Sequence, residues 1–171
     1  AIMEHAYQTC KYFVQNFGHT SDNIFLYGDV GVGKTFLSNC IARDLIDAGY
    51  SVLYYSAPNL FNILAQGTFD HNDYESKQMQ QYVYDCDLLI VDDLGTELAN
   101  AFTASQFFTC INERLLNMKS TVVSTNLSLD SLADLYTERS FSRITSNYIL
   151  LRLFGDDIRI IKKIRANREG K

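Results

Sequence analysis

The chain has 171 residues, of which 47% are hydrophobic and 20% charged, with a net charge of −5. That is enough chain and apolar content for one domain with a continuous core, and it excludes an intrinsically disordered protein. The acidic balance argues against a surface coated in positive charge for duplex binding, while leaving room for a local basic strip.

No apolar run approaches membrane-spanning length and no secretory leader opens the chain, so no membrane partner is expected and the cytoplasm is the expected compartment. Cys10, Cys40, Cys86 and Cys110 form no C-x-x-C pair and have no histidine at metal spacing. They read as buried free thiols in a reducing compartment.

In chain order, the spacing of Ala6, Cys10, Phe13, Val14 and Phe17 predicts a helix over 4–17, ended by Gly18. Residues 23–27 read as a short buried strand. Gly28-Asp29-Val30-Gly31-Val32-Gly33-Lys34-Thr35 follows, and then a predicted helix over 36–48 that opens on Phe36 and carries Leu37, Ile41, Leu45 and Ala48 on one face. This is the P-loop pattern, placed between a strand and a helix as the pattern requires.

The chemistry needs these residue types. A triphosphate is a dense anion, and backbone N–H groups at a helix N-terminus offer it donors and a favourable dipole. Gly28, Gly31 and Gly33 let the backbone curl close to the ligand, Lys34 can reach the β- and γ-phosphates, and the Thr35 hydroxyl can ligate Mg²⁺.

Gly49 ends the P-loop helix, and a strand is predicted over 51–56. Pro58 suits the first turn of a helix running through Leu60, Phe61 and Leu64 to Gly67. A polar loop over 69–73 and a helix over 74–84 come next. A buried strand over 86–91 then runs into Asp92 and Asp93. The helix over 101–117 points Phe107, Phe108, Ile111 and Leu115 inward. A fourth strand over 120–124 ends in Thr125 and Asn126. Helices over 129–136 and 138–145 precede a fifth strand over 148–153. Residues 156–167 close the chain as a helix, although Ile158, Arg159 and Ile160 could equally continue as strand. Strands alternating with helices predict an α/β domain over 1–171, a parallel five-stranded sheet with helices on both faces and its ligand site at the C-terminal strand ends.

Four apolar residues, Leu88 to Val91, deliver Asp92 and Asp93 to that edge in the Walker B pattern. Asp92 is expected to hold Mg²⁺, and Asp93 to orient or deprotonate the attacking water. Asn126 can hold that water and sense the γ-phosphate, or simply open a turn. Arg139 and Arg143 share a helix face, either as a solvated surface or as an arginine finger reaching into a neighbouring subunit. Arg159 can reach a bound nucleotide from the C-terminal side. Lys162, Lys163, Arg165 and Arg168 after it read as a charged, solvated tail.

Together these segments resemble the AAA+ ATPase domain of bacterial replicative-helicase loaders of the DnaC/DnaI type and of the related transposition helper IstB. The likeness spans nearly the whole chain. It rests on the P-loop and on the run from Leu88 through Asp92-Asp93-Leu94-Gly95-Thr96-Glu97. It also rests on Ser124-Thr125-Asn126, on Tyr136-Thr137-Glu138-Arg139-Ser140-Phe141-Ser142-Arg143-Ile144, and on Gly155-Asp156-Asp157-Ile158-Arg159. The resemblance implies that residues 28–36 cradle ATP or ADP, with Mg²⁺ on Thr35 and Asp92. It makes Asp93 the catalytic carboxylate, Asn126 sensor 1, Arg143 the trans-acting finger with Arg139 beside it, and Arg159 sensor 2. It further implies self-association, contact with a replicative DNA helicase in the primosome, and single-stranded DNA binding.

Asp93 stands where most AAA+ proteins carry Glu, and the shorter side chain implies slow, switch-like hydrolysis. The chain opens at Ala1, which suggests a fragment lacking the loaders' N-terminal helicase-binding domain. Alternatives are an IstB-like helper that remodels DNA for a transposase, a P-loop small-molecule kinase, or a nucleotide-binding scaffold without turnover.

Overall fold

The computed structural model describes residues 2–69, 73–161 and 163. Helix α1 (Ile2–Gln15) is followed by β1 (Ile24–Gly28), α2 (Lys34–Asp47), β2 (Val52–Ser56), α3 (Ala57–Phe69), α4 (Tyr74–Asp85) and β3 (Leu88–Leu94). The chain continues through α5 (Ala101–Leu116), β4 (Ser120–Thr125), α6 (Leu129–Asn147) and β5 (Ile149–Leu153). The five strands are all parallel, in the order β2-β3-β4-β1-β5.

Side chains alternate across a strand, so each central strand feeds two cores. Ile24, Leu26, Leu88, Ile90 and Val122 point to one face, where Ala6, Cys10 and Phe13 of α1 and Leu37, Ile41 and Leu45 of α2 cover them. Phe25, Leu89, Val91 and Val123 point to the other, beneath Leu60 and Leu64 of α3, Val83 of α4, Phe107 and Ile111 of α5, and Leu132 and Tyr136 of α6. The predicted α/β architecture, with helices on both faces, is therefore the one observed. The four cysteines are free thiols, three of them buried and Cys40 half-buried.

The differences from expectation have local causes. Helix α3 runs past Gly67 to Phe69, because that glycine serves packing: a Cβ there would lie 2.7 Å from the Gln80 side chain of α4. Of the loop predicted over 69–73, residues 70–72 lie outside the described residues. Strand β3 extends through Asp92 and Asp93 to Leu94, with its register to β4 shifting between Val91 and Leu94. Ala48 is exposed at the end of α2, and Phe108 is half-buried at the surface where an inward position was expected.

The two helices predicted over 129–136 and 138–145 are both present, joined at Thr137, whose φ of 76° and ψ of 150° break the helical path. Residues 158–161 are helical and not strand, with the N–H groups of Ile160 and Ile161 donating to Asp157 O at 3.1 Å. Lys163 is helical and exposed, whereas Lys162 and residues 164–171, among them Arg165 and Arg168, lie outside the described residues.

Candidate functional site

Strand β1 hands the chain to Gly28, whose φ is 125° and where a Cβ would fall 1.9 Å from Leu153 O. Only glycine lets β5 approach this closely. Asp29 N then donates to Leu153 O at 3.0 Å, which fixes the start of the glycine loop against β5. Gly33 caps α2 in a left-handed conformation and supplies no side-chain cap. The first amides of α2 are thus left to an external acceptor, the arrangement that favours an anion.

Lys34 and Thr35 are the first residues of α2. The Lys34 side chain is 5% exposed, and its Nζ donates to Gly28 O at 2.8 Å and to Asp29 O. Burial lowers its pKa, while Asp93, Asp29 and Asp92 push it back up. Thr35 Oγ1 donates to Asp92 Oδ1 at 3.2 Å.

The Asp92 carboxylate is held on several sides. Tyr54 of β2 donates to Oδ2 at 2.9 Å, and Ser124 of β4 donates to Oδ1. Ser124 Oγ also accepts from Asp93 N at 3.0 Å. This tie accompanies the left-handed backbone of Asp93, with φ of 57°, a conformation that Asp tolerates better than most residues. Burial raises the Asp93 pKa, and the neighbouring Asp92 charge raises it further, against the pull of Lys34 and Arg159.

These elements frame a cleft of about 490 Å³ lined by Lys34, Thr35, Asp93, Asn126 and Arg159 together with Val30, Gly31, Gly33 and Phe36 of the loop. Residues from four separate stretches of the chain therefore converge, as the sequence predicts. Asp92 stands behind Thr35. Three loop residues do not line the cleft: Gly28 lies against Leu153 of β5, Val32 is 4% exposed and packs in the core, and the Asp29 carboxylate accepts from Gly155 N at 3.2 Å.

Met3 and Ile158 complete the wall with apolar atoms, and both come within 4 Å of a Cβ built at Gly33. Neither is marked by local sequence, since one lies in the first turn of α1 and the other opens the short helical segment after β5. Tyr54 and Ser124 were also missed. The legible signal was a polar residue at the end of a fully buried strand: β4 is buried throughout and carries Ser124 and Thr125 there.

Arg139 and Arg143 lie elsewhere. Both are exposed and border an open cleft with Phe108, Glu138 and Ser142, apart from the P-loop cleft.

The donor set fits a nucleoside triphosphate with Mg²⁺. The uncapped α2 N-terminus and the buried Lys34 ammonium suit phosphate oxygens. Among the described residues no group of three or more His, Cys, Asp or Glu side chains forms a metal cage. Thr35 and Asp92 alone suit Mg²⁺, which is typically bound by one or two protein oxygens plus phosphates and water.

Sheet order, glycine loop and acidic strand end together define a P-loop ATP-binding domain of the AAA+ class. The chain belongs to the family of IstB-like ATP binding proteins, whose model matches residues 8–156. It is 28% identical over 137 residues to the chromosomal replication initiator protein DnaA of Aquifex aeolicus, covering 78% of this chain and 34% of that protein. It is 28% identical over 155 residues to an insertion sequence IS21 protein of Pseudomonas aeruginosa, covering 88% of this chain and 57% of that one. The chain thus spans between a third and just over half of these two relatives. Its fold matches the crystal structure of the DnaC helicase loader with a TM-score of 0.79 and 25% identity, over 88% of this chain and 89% of that one.

Proposed function

We propose that this domain is the ATP-driven switch of a cytoplasmic helicase loader, which binds and slowly hydrolyses ATP when subunits assemble. The glycine loop and Lys34 grip the triphosphate, and Met3 and Ile158 offer an apolar wall to the base. Thr35 and Asp92 hold Mg²⁺, which when bound neutralises phosphate charge. Asp93 accepts the proton of the attacking water, with a pKa moved towards its task by burial. The Asn126 amide orients that water, and Arg159 contacts the phosphates from the same subunit.

One observation carries the reading. Arg139 and Arg143 are exposed outside the cleft of their own subunit, where a neighbour's nucleotide could meet them. An arginine supplied in trans neutralises transition-state charge and is worth on the order of 10³-fold or more in rate. Arg143→Ala should therefore keep nucleotide affinity and lose assembly-dependent hydrolysis. Mixed with Asp93→Asn protein, it should regain activity, because mixed assemblies contain interfaces with an intact Asp93 facing an intact Arg143. Failure of every mixture to exceed the single variants would overturn the finger in trans.

Loading implies a replicative DNA helicase and single-stranded DNA as partners. Phe69, Tyr74 and Tyr82 are exposed and can stack on bases, whereas Phe61 is core. The second reading, a transposition helper, is favoured by the family model and by the IS21 relative. Affinity for single strands over duplex, measured at matched salt, supports the loader; duplex preference supports the helper.

A further inference from the structure

The segment after β5 folds back over the glycine loop. Gly155 N donates to Asp29 Oδ2 at 3.2 Å, and Ile158 N donates to Gly31 O at 3.0 Å. Between these two contacts the Asp157 carboxylate lies against Gly31. A Cβ built on Gly31 would meet Asp157 Cγ at 2.1 Å and its oxygens at 2.2 and 2.4 Å. Position 31 also has φ of 76°, so glycine is required there on two counts.

The same carboxylate holds Arg159. Oδ1 accepts from Arg159 N at 2.8 Å and from Nε at 3.1 Å, and Oδ2 accepts from Nη2 at 3.0 Å. Of the two side chains the arginine is 69% exposed and the aspartate 22%. The guanidinium is therefore the partner free to move, and it already lines the cleft with Lys34 and Asp93.

A fork-shaped guanidinium that is engaged bidentately by one anion must give up those bonds to engage another in the same way.

We propose that Asp157 sets the affinity of the nucleotide site: its carboxylate holds Arg159 against the glycine loop, and a triphosphate recruits Arg159 only by drawing it off Asp157. This rests on the nucleotide reading above. Asp157 is a positioning residue here, acting on the ligand through Arg159. Its removal should strengthen binding, whereas loss of a merely structural contact would weaken it.

The test is a titration of a fluorescent ATP analogue with Mg²⁺, at fixed salt, into the wild-type chain, D157N, D157S, R159A and D157N/R159A. D157S keeps an oxygen able to cap residues 158–161, and thermal unfolding without nucleotide confirms that each variant is folded. D157N and D157S should each bind about two- to fivefold more tightly than wild type, the range expected for releasing one exposed ion pair. R159A should bind more weakly than wild type, and D157N/R159A should match R159A. Charge-free variants that bind no more tightly than wild type would overturn the proposal. So would a gain that survives in full without Arg159. A wild-type chain that binds no analogue would instead overturn the nucleotide reading itself.

Discussion

Two buried cations divide the labour of this molecule. Arg114 of α5 is fully buried, and its guanidinium donates to the carbonyls of Val83, Tyr84, Cys86 and Ser120, to Thr121 Oγ1 and to Cys86 Sγ. It joins the end of α4 to the starts of β3 and β4, and no carboxylate appears among these partners. Lys34 is almost as buried, yet its ammonium has two carbonyl acceptors for three protons and faces an open cleft. Saturation makes the first cation a structural pin. Incomplete satisfaction leaves the second with a proton to offer an incoming anion, while burial lowers its pKa.

The comparison breaks most visibly at Arg114. Arg114→Met strands several buried carbonyls together and should cost about 3–5 kcal/mol, the usual penalty for dismantling a buried charged network. The denaturant midpoint measures this, and the fraction still folded should bind nucleotide normally. A midpoint close to that of wild type would show that the pin is dispensable.

A smaller effect is expected at Asp93. Its folded pKa lies above the unfolded value, so the ionised carboxylate is penalised in the native state at neutral pH. Asp93→Asn should raise Tm at neutral pH. That gain should fade as pH falls through the raised folded pKa and vanish below the ordinary carboxylate value. The ATPase rate proposed for wild type should fall over the same acid range, as the proposed base becomes protonated. A Tm difference constant across that range would contradict the assignment.

The parts of the site that were legible, Arg159 apart, share one property: a strand end places them. The glycine loop follows β1, Asp92 and Asp93 end the apolar run of β3, and Asn126 follows β4. Parallel topology then gathers those ends at one edge without further information. Met3, Tyr54 and Ile158 reach the site through the packing of α1, β2 and the post-β5 segment, which no local pattern encodes.

Arg114 was legible and missed. It lies seven residues beyond Phe107 and three beyond Ile111, on the inward face of a helix whose other inward positions beyond Thr103 in the first turn are apolar. A charge on such a face signals a buried hydrogen-bonding role. Gly67 shows the opposite error, a glycine read as a stop that in fact admits a neighbouring side chain.

The most direct test is a calorimetric titration of ATP and Mg²⁺ into the wild-type chain and Lys34→Ala, paired with thermal unfolding of both. The account predicts that Lys34→Ala leaves Tm nearly unchanged while ATP affinity falls by about 10²-fold, as expected for losing a charged partner of roughly 2–3 kcal/mol. Unchanged affinity, or an affinity loss explained entirely by unfolding, would contradict it.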